Sequence, residues 1–310
     1  MQFVIDSSCD GKTVKEFLFS NLSFSANMVK RLKSIENGIT VNGAHVTVRY
    51  VLKQGDKLDL QTDDLDSAES IIPVDFPLDI IYEDDYVIAL NKPFGMPTHP
   101  SHNHHNDTLA NALAHYFLKA NRPFVFRAIN RLDADTSGIV LIAKDKDSAF
   151  KLAKSMADGK IHKKYVALLH GTLEGSGEIN LPIRRSDTST MLRIVDTEDN
   201  PKAKQAITEY EVIKRFEDST LVCASPITGR THQLRVHFST IGTPIYGDGL
   251  YGITTDGSDY PRLALHAYYL SFPHPKGKII TITTPIANNA DDFFTNIVTC
   301  TIERSYDDKQ

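Results

Sequence analysis

The chain has 310 residues, of which 41% are hydrophobic and 24% are charged, a composition typical of a globular protein with one large core or two unequal ones. No apolar run approaches the roughly 18 residues that span a bilayer, and the first thirty residues lack the basic and apolar segments of a secretion signal. Cys9, Cys223 and Cys300 lie far apart without a CxxC pair, which argues against a disulfide framework or a structural zinc site. We therefore expect a cytoplasmic protein with no membrane segment.

The net charge of −5 is unevenly distributed along the chain. Residues 12–57 carry eight Lys or Arg and three Asp or Glu, a net charge of +5, whereas residues 61–85 carry nine acidic residues and no basic ones. The overall acidity argues against nucleic-acid binding, but the N-terminal basic block favours it locally. Charge alone is equally consistent with a solvated face.

Residues 1–62 are predicted to form one small α+β module. Apolar residues recur at helical spacing in two stretches, and β-branched runs flank Asn42-Gly43, which is a strong hairpin signal. The predicted elements are helices at 13–21 and 25–35, with Ser25 as N-cap of the second, hairpin strands at 39–41 and 46–48, and a strand at 57–60. Positive charges interrupt the apolar face of the second helix at Lys30, Arg31 and Lys33.

The rest of the chain is predicted to be a linker, a larger domain and a tail. Residues 63–76 are acidic and contain proline, as a linker does, and residues 291–310 are assigned to a loose C-terminal tail. Within 77–290, strands dominate and helices do not alternate strictly with them, so we expect an α+β domain with a mixed, mainly antiparallel sheet. The predicted strands are 78–82, 86–91, 138–143, 165–169, 206–213, 221–225, 263–270 and 279–284, and the predicted helices begin after Asp107 or Thr108 and cover 147–157 and 231–241.

One stretch places polar turn-formers directly before a predicted buried strand: Asn130-Arg-Leu-Asp-Ala-Asp-Thr-Ser-Gly138. Loop residues held by a rigid sheet are where catalytic groups concentrate, although a solvated turn would have the same composition. Asp133, Asp135 and Ser137 also match the first half of a calcium-binding loop. That interpretation fails at the twelfth position, where Lys144 replaces the required Glu.

Two further stretches carry groups suited to binding phosphate or a carboxylate. Thr228-Gly-Arg-Thr-His-Gln-Leu-Arg-Val-His237 lies at a predicted turn-to-helix junction, and His162-Lys-Lys-Tyr165 leads into a strand. Tyr165 by itself is more typical of a sheet aromatic than of a site residue. Two other patterns are weak, because the histidines at 99, 102, 104 and 105 lack a spaced carboxylate and Gly247-x-Gly-x-x-Gly252 lacks a following helix.

Taken together, these stretches resemble the RluA family of pseudouridine synthases. The family's main motif falls on 130–138, with Asn130 in place of its usual histidine. The likeness covers most of residues 78–285 in the expected order, and 13–60 resembles the alpha-L RNA-binding module first seen in a small-subunit ribosomal protein. The other matching segments are Asn91–Pro100, Lys163-x-Tyr165, Gly229–His237, Pro244–Asp248 and Leu265–Ala267.

The resemblance implies a role for each matched residue. It makes Asp133 the catalytic aspartate, Tyr165 the residue that stacks on the target uracil, and Arg235 the partner of the aspartate. It also implies substrate contacts at Leu234, as an apolar wall, and at Arg131, while Arg230 and the three cations of the N-terminal module are candidate RNA contacts. The substrate would be ribosomal or transfer RNA, with ribosomal RNA favoured, and the enzyme a monomer without an obligatory protein partner.

The residue types suit the chemistry that the family performs. A stacked base hides its glycosidic bond, so the target uridine must be flipped into a pocket. A nearby Arg235 would favour the ionised form of Asp133, which could act as a nucleophile or could remove a proton from the sugar. Isomerisation involves no redox step or phosphoryl transfer, so we expect no cofactor. The rival interpretation is a non-catalytic RNA-binding or ribosome-assembly factor.

Overall fold

The structure is a computed structural model that describes residues 1–285 except 23, 25, 62–70, 102, 190, 198, 253–259 and 261. The chain divides into two units, residues 1–71 and 72–310. The tail predicted at 291–310, the Ser25 cap and most of the predicted linker lie outside the described residues. Within the described part, no helix is long and apolar enough to cross a membrane.

The N-terminal unit combines a small antiparallel sheet with short helices. The sheet has the order β1 (Gln2–Val4), β4 (Lys57–Leu60), β2 (Ile39–Val41) and β3 (Ala44–His45). The Thr13 and Glu16 side chains form a capping box at the first helix. Leu18 and Leu32 are fully buried, as the helical periodicity predicts. The helices are α1 (Val14–Glu16), continued by a π-helical turn (Phe17–Asn21), and α2 (Ala26–Ser34).

The predicted hairpin is present, but its second strand was placed wrongly at 46–48. Asn42 and Gly43 have φ values of 51° and 83°, so they form a two-residue turn in which both residues are left-handed. Such a turn pairs the residues on either side of it directly, and Val41 is therefore opposite Ala44. The second strand is β3, Ala44–His45, and it ends before the β-branched residues that suggested a strand.

The second unit is built on a sheet of nine strands among the described residues, with β5-β6-β7-β14-β8-β13-β12-β9 in order and β15 paired with β14. In that part of the chain, β7 and β14 are parallel and every other pair is antiparallel, which confirms the mainly antiparallel α+β prediction. The strands are β5 (Ile80–Glu83), β6 (Val87–Lys92), β7 (Ser137–Ala143), β8 (His162–His170), β9 (Ser176–Asn180), β10 (Ile183–Arg185), β11 (Arg193–Val195), β12 (Ile207–Arg215), β13 (Ser219–Pro226), β14 (Leu265–Pro273) and β15 (Ile279–Thr283).

Helices cover both faces of this sheet. They are α3 (Leu109–Lys119), capped by Thr108, α4 (Lys146–Ala157) and α5 (Gln233–Thr240). Alternate residues of β7 pack against different helices, since Val140 lies in the cluster with α3 and Leu141 in the cluster with α4. All seven residues of β7 are buried for this reason, and its sequence is a continuous apolar run.

The sequence analysis found every strand of the nine-stranded sheet except β9, and it missed the separate hairpin of β10 and β11. That hairpin contains Arg184, Arg185 and Arg193. With these charged residues in strands of three residues each, the alternation of apolar and polar residues that predicts a strand is not recognisable. The last residues of the predicted linker bond to α3, because Asn111 Nδ2 donates to the Ile72 carbonyl at 2.7 Å.

Candidate active site

A cavity of about 560 Å³ lies where the motif loops of the second unit meet. Its walls come mainly from residues 97–101, 128–134, 226 and 228–235, with Tyr165 and Leu265 of the central strands. The three stretches that the sequence singled out are far apart in the chain, and the sheet brings them to this one cavity. Asp133, Tyr165, Leu234 and Arg235 all line it.

Asp133 lies in a tight turn that is fastened on both sides. The Thr136 N–H donates to the Asp133 carbonyl at 3.1 Å, which closes the turn. Thr98 Oγ1 donates to the Leu132 carbonyl at 2.8 Å and accepts from the Leu132 N–H at 3.2 Å. The carboxylate is therefore carried by a fixed backbone, and its side chain retains 27% exposure towards the cavity.

The fully buried Lys92 stabilises the same turn by a hydrogen bond to its backbone. Its ammonium donates to three carbonyl oxygens, those of Pro93 at 2.8 Å, Met96 at 2.7 Å and Ala134 at 2.9 Å. Burial lowers the pKa of Lys92 to about 7, and the charges of Asp133 and Asp135 oppose that shift. The sequence analysis quoted Lys92 within a matching segment but gave it no role.

Asn130, which replaces the family's usual histidine, also has a structural role in this loop. Its Nδ2 donates to the Ile139 carbonyl at 2.9 Å, and its Oδ1 accepts from the Leu141 N–H at 2.8 Å. One amide side chain thus bonds to a donor and an acceptor of β7 and ties the start of the loop to the strand that follows it. Asn130 lines the same cavity as Asp133 and carries no charge.

Arg235 lies at ion-pair distance from Asp133 but makes its two short hydrogen bonds to Asp248. Nε donates to Asp248 Oδ2 at 2.8 Å and Nη2 to Oδ1 at 2.6 Å, whereas Nη1 is 3.8 Å from Asp133 Oδ2. Burial acts to raise the pKa of Asp248, but the hydrogen bond and charge of Arg235 outweigh it, and the pKa is lowered. Asp248 is therefore the ionised group that orients the guanidinium. The sequence analysis matched Asp248 to the family but did not pair it with Arg235.

His232 is a second neighbour of Asp133 that the sequence analysis did not assign. Its Nε2 is 3.9 Å from Asp133 Oδ1, and its Nδ1 is 2.8 Å from the Tyr251 hydroxyl. That hydroxyl accepts a hydrogen bond from the Arg193 N–H at 2.9 Å, so its own proton is directed to Nδ1. Burial lowers the pKa of His232, although the charge of Asp133 opposes this shift, and the lowered pKa favours the neutral ring. A neutral ring that accepts the Tyr251 proton at Nδ1 carries its own proton on Nε2, the nitrogen that faces Asp133.

Tyr165 presents its ring and hydroxyl to the cavity from the middle of β8. It is opposite Ala224 on β13 and Ala267 on β14, two small neighbours that leave room beside the ring. No described residue is hydrogen-bonded to the hydroxyl. Burial and then the charge of Asp133 raise the pKa of Tyr165, so the hydroxyl keeps its proton at neutral pH.

The candidate RNA contacts divide between the two units. Arg131 and Arg230 line the cavity and are exposed, and Arg230 Nε donates to the Gln205 carbonyl at 2.9 Å. Lys30 and Lys33 are exposed on α2 of the N-terminal unit. The side chain of Arg31 lies outside the described part of the structure.

The structure gives no support to the weaker sequence patterns. The loop of Asp133 and Asp135 leads directly into β7, where a calcium hand would have its second helix. The glycines at 247–252 follow α5, whereas a dinucleotide fingerprint follows a strand and opens a helix. Among the residues that the structure describes, no three His, Cys, Asp or Glu are grouped as they would be around a metal ion.

Comparisons with known proteins identify the family to which the chain belongs. The family model described as "RNA pseudouridylate synthase" matches residues 86–240. An RNA pseudouridine synthase of Bacillus subtilis, YjbO, is 36% identical over 85% of this chain and 91% of its own length, and ribosomal large subunit pseudouridine synthase D of Vibrio parahaemolyticus is 33% identical over 88% and 86%. The solved structure of human RNA pseudouridylate synthase domain containing 1 aligns with a TM-score of 0.58 and 29% identity over 67% of this chain and 83% of its own.

The second unit therefore has the pseudouridine synthase fold. The chain belongs to the RNA pseudouridine synthase family, of the RluA type. This confirms the enzyme class that the sequence motifs indicated, and it does not favour the rival interpretation as a non-catalytic RNA-binding factor.

Proposed function

We propose that this chain converts uridine to pseudouridine in ribosomal RNA and that Asp133 is its catalytic carboxylate. The observation that carries this proposal is the meeting of Asp133, Tyr165 and Arg235 in one cavity of a pseudouridine synthase fold. Ribosomal RNA is chosen over transfer RNA because relatives that match most of the chain are named ribosomal large subunit pseudouridine synthases.

The reaction begins with a uridine flipped out of its RNA stack into the cavity. Asp133 then initiates cleavage of the bond between N1 and the ribose, either by attacking C1′ or by removing a proton from C2′. The freed uracil turns and a bond forms between C5 and C1′. This breaks the bond from Asp133 to C1′ in the first route, whereas in the second route the proton returns to C2′. The C5 proton then leaves and N1 takes up a proton. Arg235 Nη1 lies 3.8 Å from one oxygen of Asp133 and His232 Nε2 lies 3.9 Å from the other, so both groups are placed to orient the carboxylate.

Tyr165 has two roles in this proposal. Its ring stacks on the uracil, and stacking tolerates the rotation that the base must make. Its hydroxyl, which has no bonding partner among the described residues, relays the C5 proton: it gives up its own proton as it accepts the one that leaves C5. Leu234 forms an apolar wall, and Arg131 and Arg230 contact the strand at the mouth of the cavity.

The N-terminal unit is proposed to be an alpha-L-type RNA-binding module that adds affinity through Lys30, Arg31 and Lys33. Isomerisation exchanges no electrons or groups with another reactant, so the enzyme needs no cofactor. We propose that it acts as a monomer in the cytoplasm without an obligatory protein partner. The free thiols of Cys9 and Cys223 suit a reducing compartment.

The proposed function is tested by Asp133→Asn on an unmodified transcript of large-subunit ribosomal RNA, with nucleoside analysis for pseudouridine. We expect wild type to form pseudouridine without an added cofactor and Asp133→Asn to form none, while RNA binding is kept because phosphate contacts dominate affinity. Asp135→Asn is the matched control, since Asp135 lies in the same turn, is exposed and does not line the cavity. Turnover by Asp133→Asn, with deamidation excluded, would refute the assignment of Asp133.

A further inference from the structure

Lys163 lines the cavity beside Tyr165. The two residues are separated by one position on β8, so their side chains project from the same face of the strand. The neighbouring Lys164 projects from the opposite face, is exposed and has its ammonium 5.4 Å from the centre of the Tyr269 ring. Only the first of these two adjacent lysines therefore reaches the space in which the uridine is proposed to bind.

The Lys163 ammonium has no counter-charge in the described part of the protein. No described residue accepts a hydrogen bond from it or forms an ion pair with it. Burial lowers its pKa, and no carboxylate acts against that shift. A cation that is withdrawn from water without a partner destabilises the folded state, unless a ligand supplies the partner.

The surroundings of this ammonium leave space for such a ligand. Gly229 stands over it at the rim of the cavity, and a side chain on Gly229 would begin 3.9 Å from Lys163 Nζ. Because glycine has no side chain, a ligand passing over the exposed Gly229 backbone can reach the ammonium. The cations of Arg131, Lys163 and Arg230 line the cavity with the Asp133 carboxylate, whereas the charge of Arg235 is balanced by Asp248. The lining therefore has a net positive charge and favours an anion.

We propose that Lys163 binds an RNA phosphate next to the flipped uridine. This inference rests on the proposed function and names one backbone contact that the reaction requires. A flipped nucleotide carries a phosphate on each side, so a cation inside the pocket can bind one of them and hold the RNA strand in the cavity. The desolvated ammonium gains its missing partner only when the RNA strand is in place.

The test compares Lys163→Met, Lys163→Arg and the matched control Lys164→Met in the full chain. The probe is the unmodified transcript of large-subunit ribosomal RNA, and two quantities are measured: the dissociation constant over a range of salt concentrations, and KM and kcat for pseudouridine formation. For Lys163→Met we expect KM to rise about tenfold, kcat to stay within about twofold, and the salt slope of binding to become shallower by about one. Lys164→Met should remain close to wild type, and Lys163→Arg, which keeps the positive charge, should keep the salt slope of wild type.

Thermal unfolding separates a ligand-binding lysine from a structural one. Methionine removes an unpaired, desolvated charge, so Lys163→Met should unfold at the same temperature as wild type or higher. A lower unfolding temperature would overturn the proposal, as would an effect on binding no larger than that of Lys164→Met. A fall in kcat with KM and salt slope unchanged would also overturn it and would place Lys163 on the uracil. If wild type forms no pseudouridine, the proposed function fails, and the salt slopes still decide the phosphate contact.

Discussion

Asp133 stands between Arg235 and His232 at 3.8 and 3.9 Å, distances longer than a hydrogen bond. Both neighbours are held from behind, Arg235 by Asp248 and His232 by Tyr251. Catalytic contacts often shorten only when substrate is bound. Without substrate, the Asp133 carboxylate therefore lies between two donors that are held in place but are not hydrogen-bonded to it.

Arg235 is predicted to be needed for stability and for turnover separately. Arg235→Met leaves the fully buried Asp248 carboxylate unpaired, so the free energy of unfolding should fall by about 3–5 kcal/mol. Arg235→Lys should also lose most activity, since an ammonium cannot make both bonds to Asp248 and face Asp133. Urea unfolding and initial rates measure the two effects.

The double variant Arg235→Met with Asp248→Asn is the control for folding. The neutral amide removes the unpaired charge while its oxygen can still accept from the N–H groups of Leu250 and Tyr251. Stability should recover in part, and activity should not. Recovery of both would show that Arg235 acts through folding alone and leaves Asp133 unaffected.

Two substitutions of Tyr165 separate the contribution of its ring to activity from that of its hydroxyl. Tyr165→Leu should lose most activity, because base–aromatic stacking contributes about 1–3 kcal/mol per base. Tyr165→Phe should keep RNA binding but turn over about a hundredfold more slowly, because general acid–base catalysis typically contributes that much. Single-turnover rates on one RNA decide between these roles. Equal rates for wild type and Phe would remove the proton-transfer role, and an active Leu variant would remove stacking as well.

At the scale of elements, the junction between the Asp133 loop and β7 depends on Gly138. It has a φ of 116°, and a side chain there would begin 2.3 Å from the Ala267 carbonyl oxygen of the parallel neighbour β14. Backbone strain and a clash with backbone, which cannot move aside as a side chain can, act together at this position. The close approach of these two strands positions the loop that carries Asp133.

Gly138→Ala should therefore lower the free energy of unfolding by more than about 3 kcal/mol. Gly159→Ala is the matched control, because Gly159 also has a positive φ, 70°, but nothing lies within 4 Å of the added carbon. That variant should lose only about 1–2 kcal/mol, the penalty of a left-handed backbone. Urea unfolding of both full-length variants checks the difference, and equal losses would show that the strand contact is unimportant.

At the scale of the whole molecule, removal of residues 1–71 tests the role of the N-terminal unit. The cut leaves Ile72, whose carbonyl bonds to Asn111, with the second unit. We expect a folded fragment that still forms pseudouridine but with a higher KM, because the basic block no longer contacts phosphates. Its binding should also show a shallower dependence on salt.

Circular dichroism and pseudouridine assays at two salt concentrations measure these outcomes. A charge-reversal variant of the full chain, Lys30→Glu with Lys33→Glu, is the control that keeps the unit folded in place, since both side chains are exposed. Unchanged KM in both proteins would show that the basic block is only a solvated face. An unfolded fragment would show that the boundary lies elsewhere.

The sequence by itself determined the family, the loop that we propose to be catalytic and most of the secondary structure. Its signals were local: the ordered motif at 130–138, the helical period of Leu109, Leu113 and Phe117, and the continuous apolar run of β7. Periodicity and turn chemistry depend on residues a few positions apart, so one sequence contains them. The prediction of a strand at 46–48 was wrong because it relied on the β-branched residues there. The turn at Asn42-Gly43 is another local signal, and its geometry pairs Val41 with Ala44 and so places the second strand.

Only the tertiary structure decided how the site is held. The bidentate pair of Arg235 with Asp248 and the three carbonyl partners of Lys92 depend on segments that meet through the sheet. The same holds for Lys163, whose ammonium lines the cavity without a partner among the described residues. A charged residue reads the same in a sequence whether it is solvated, paired or buried. The environment of a charged residue is set by long-range packing. That environment determines whether the residue stabilises the fold, orients Asp133 or is free to bind RNA.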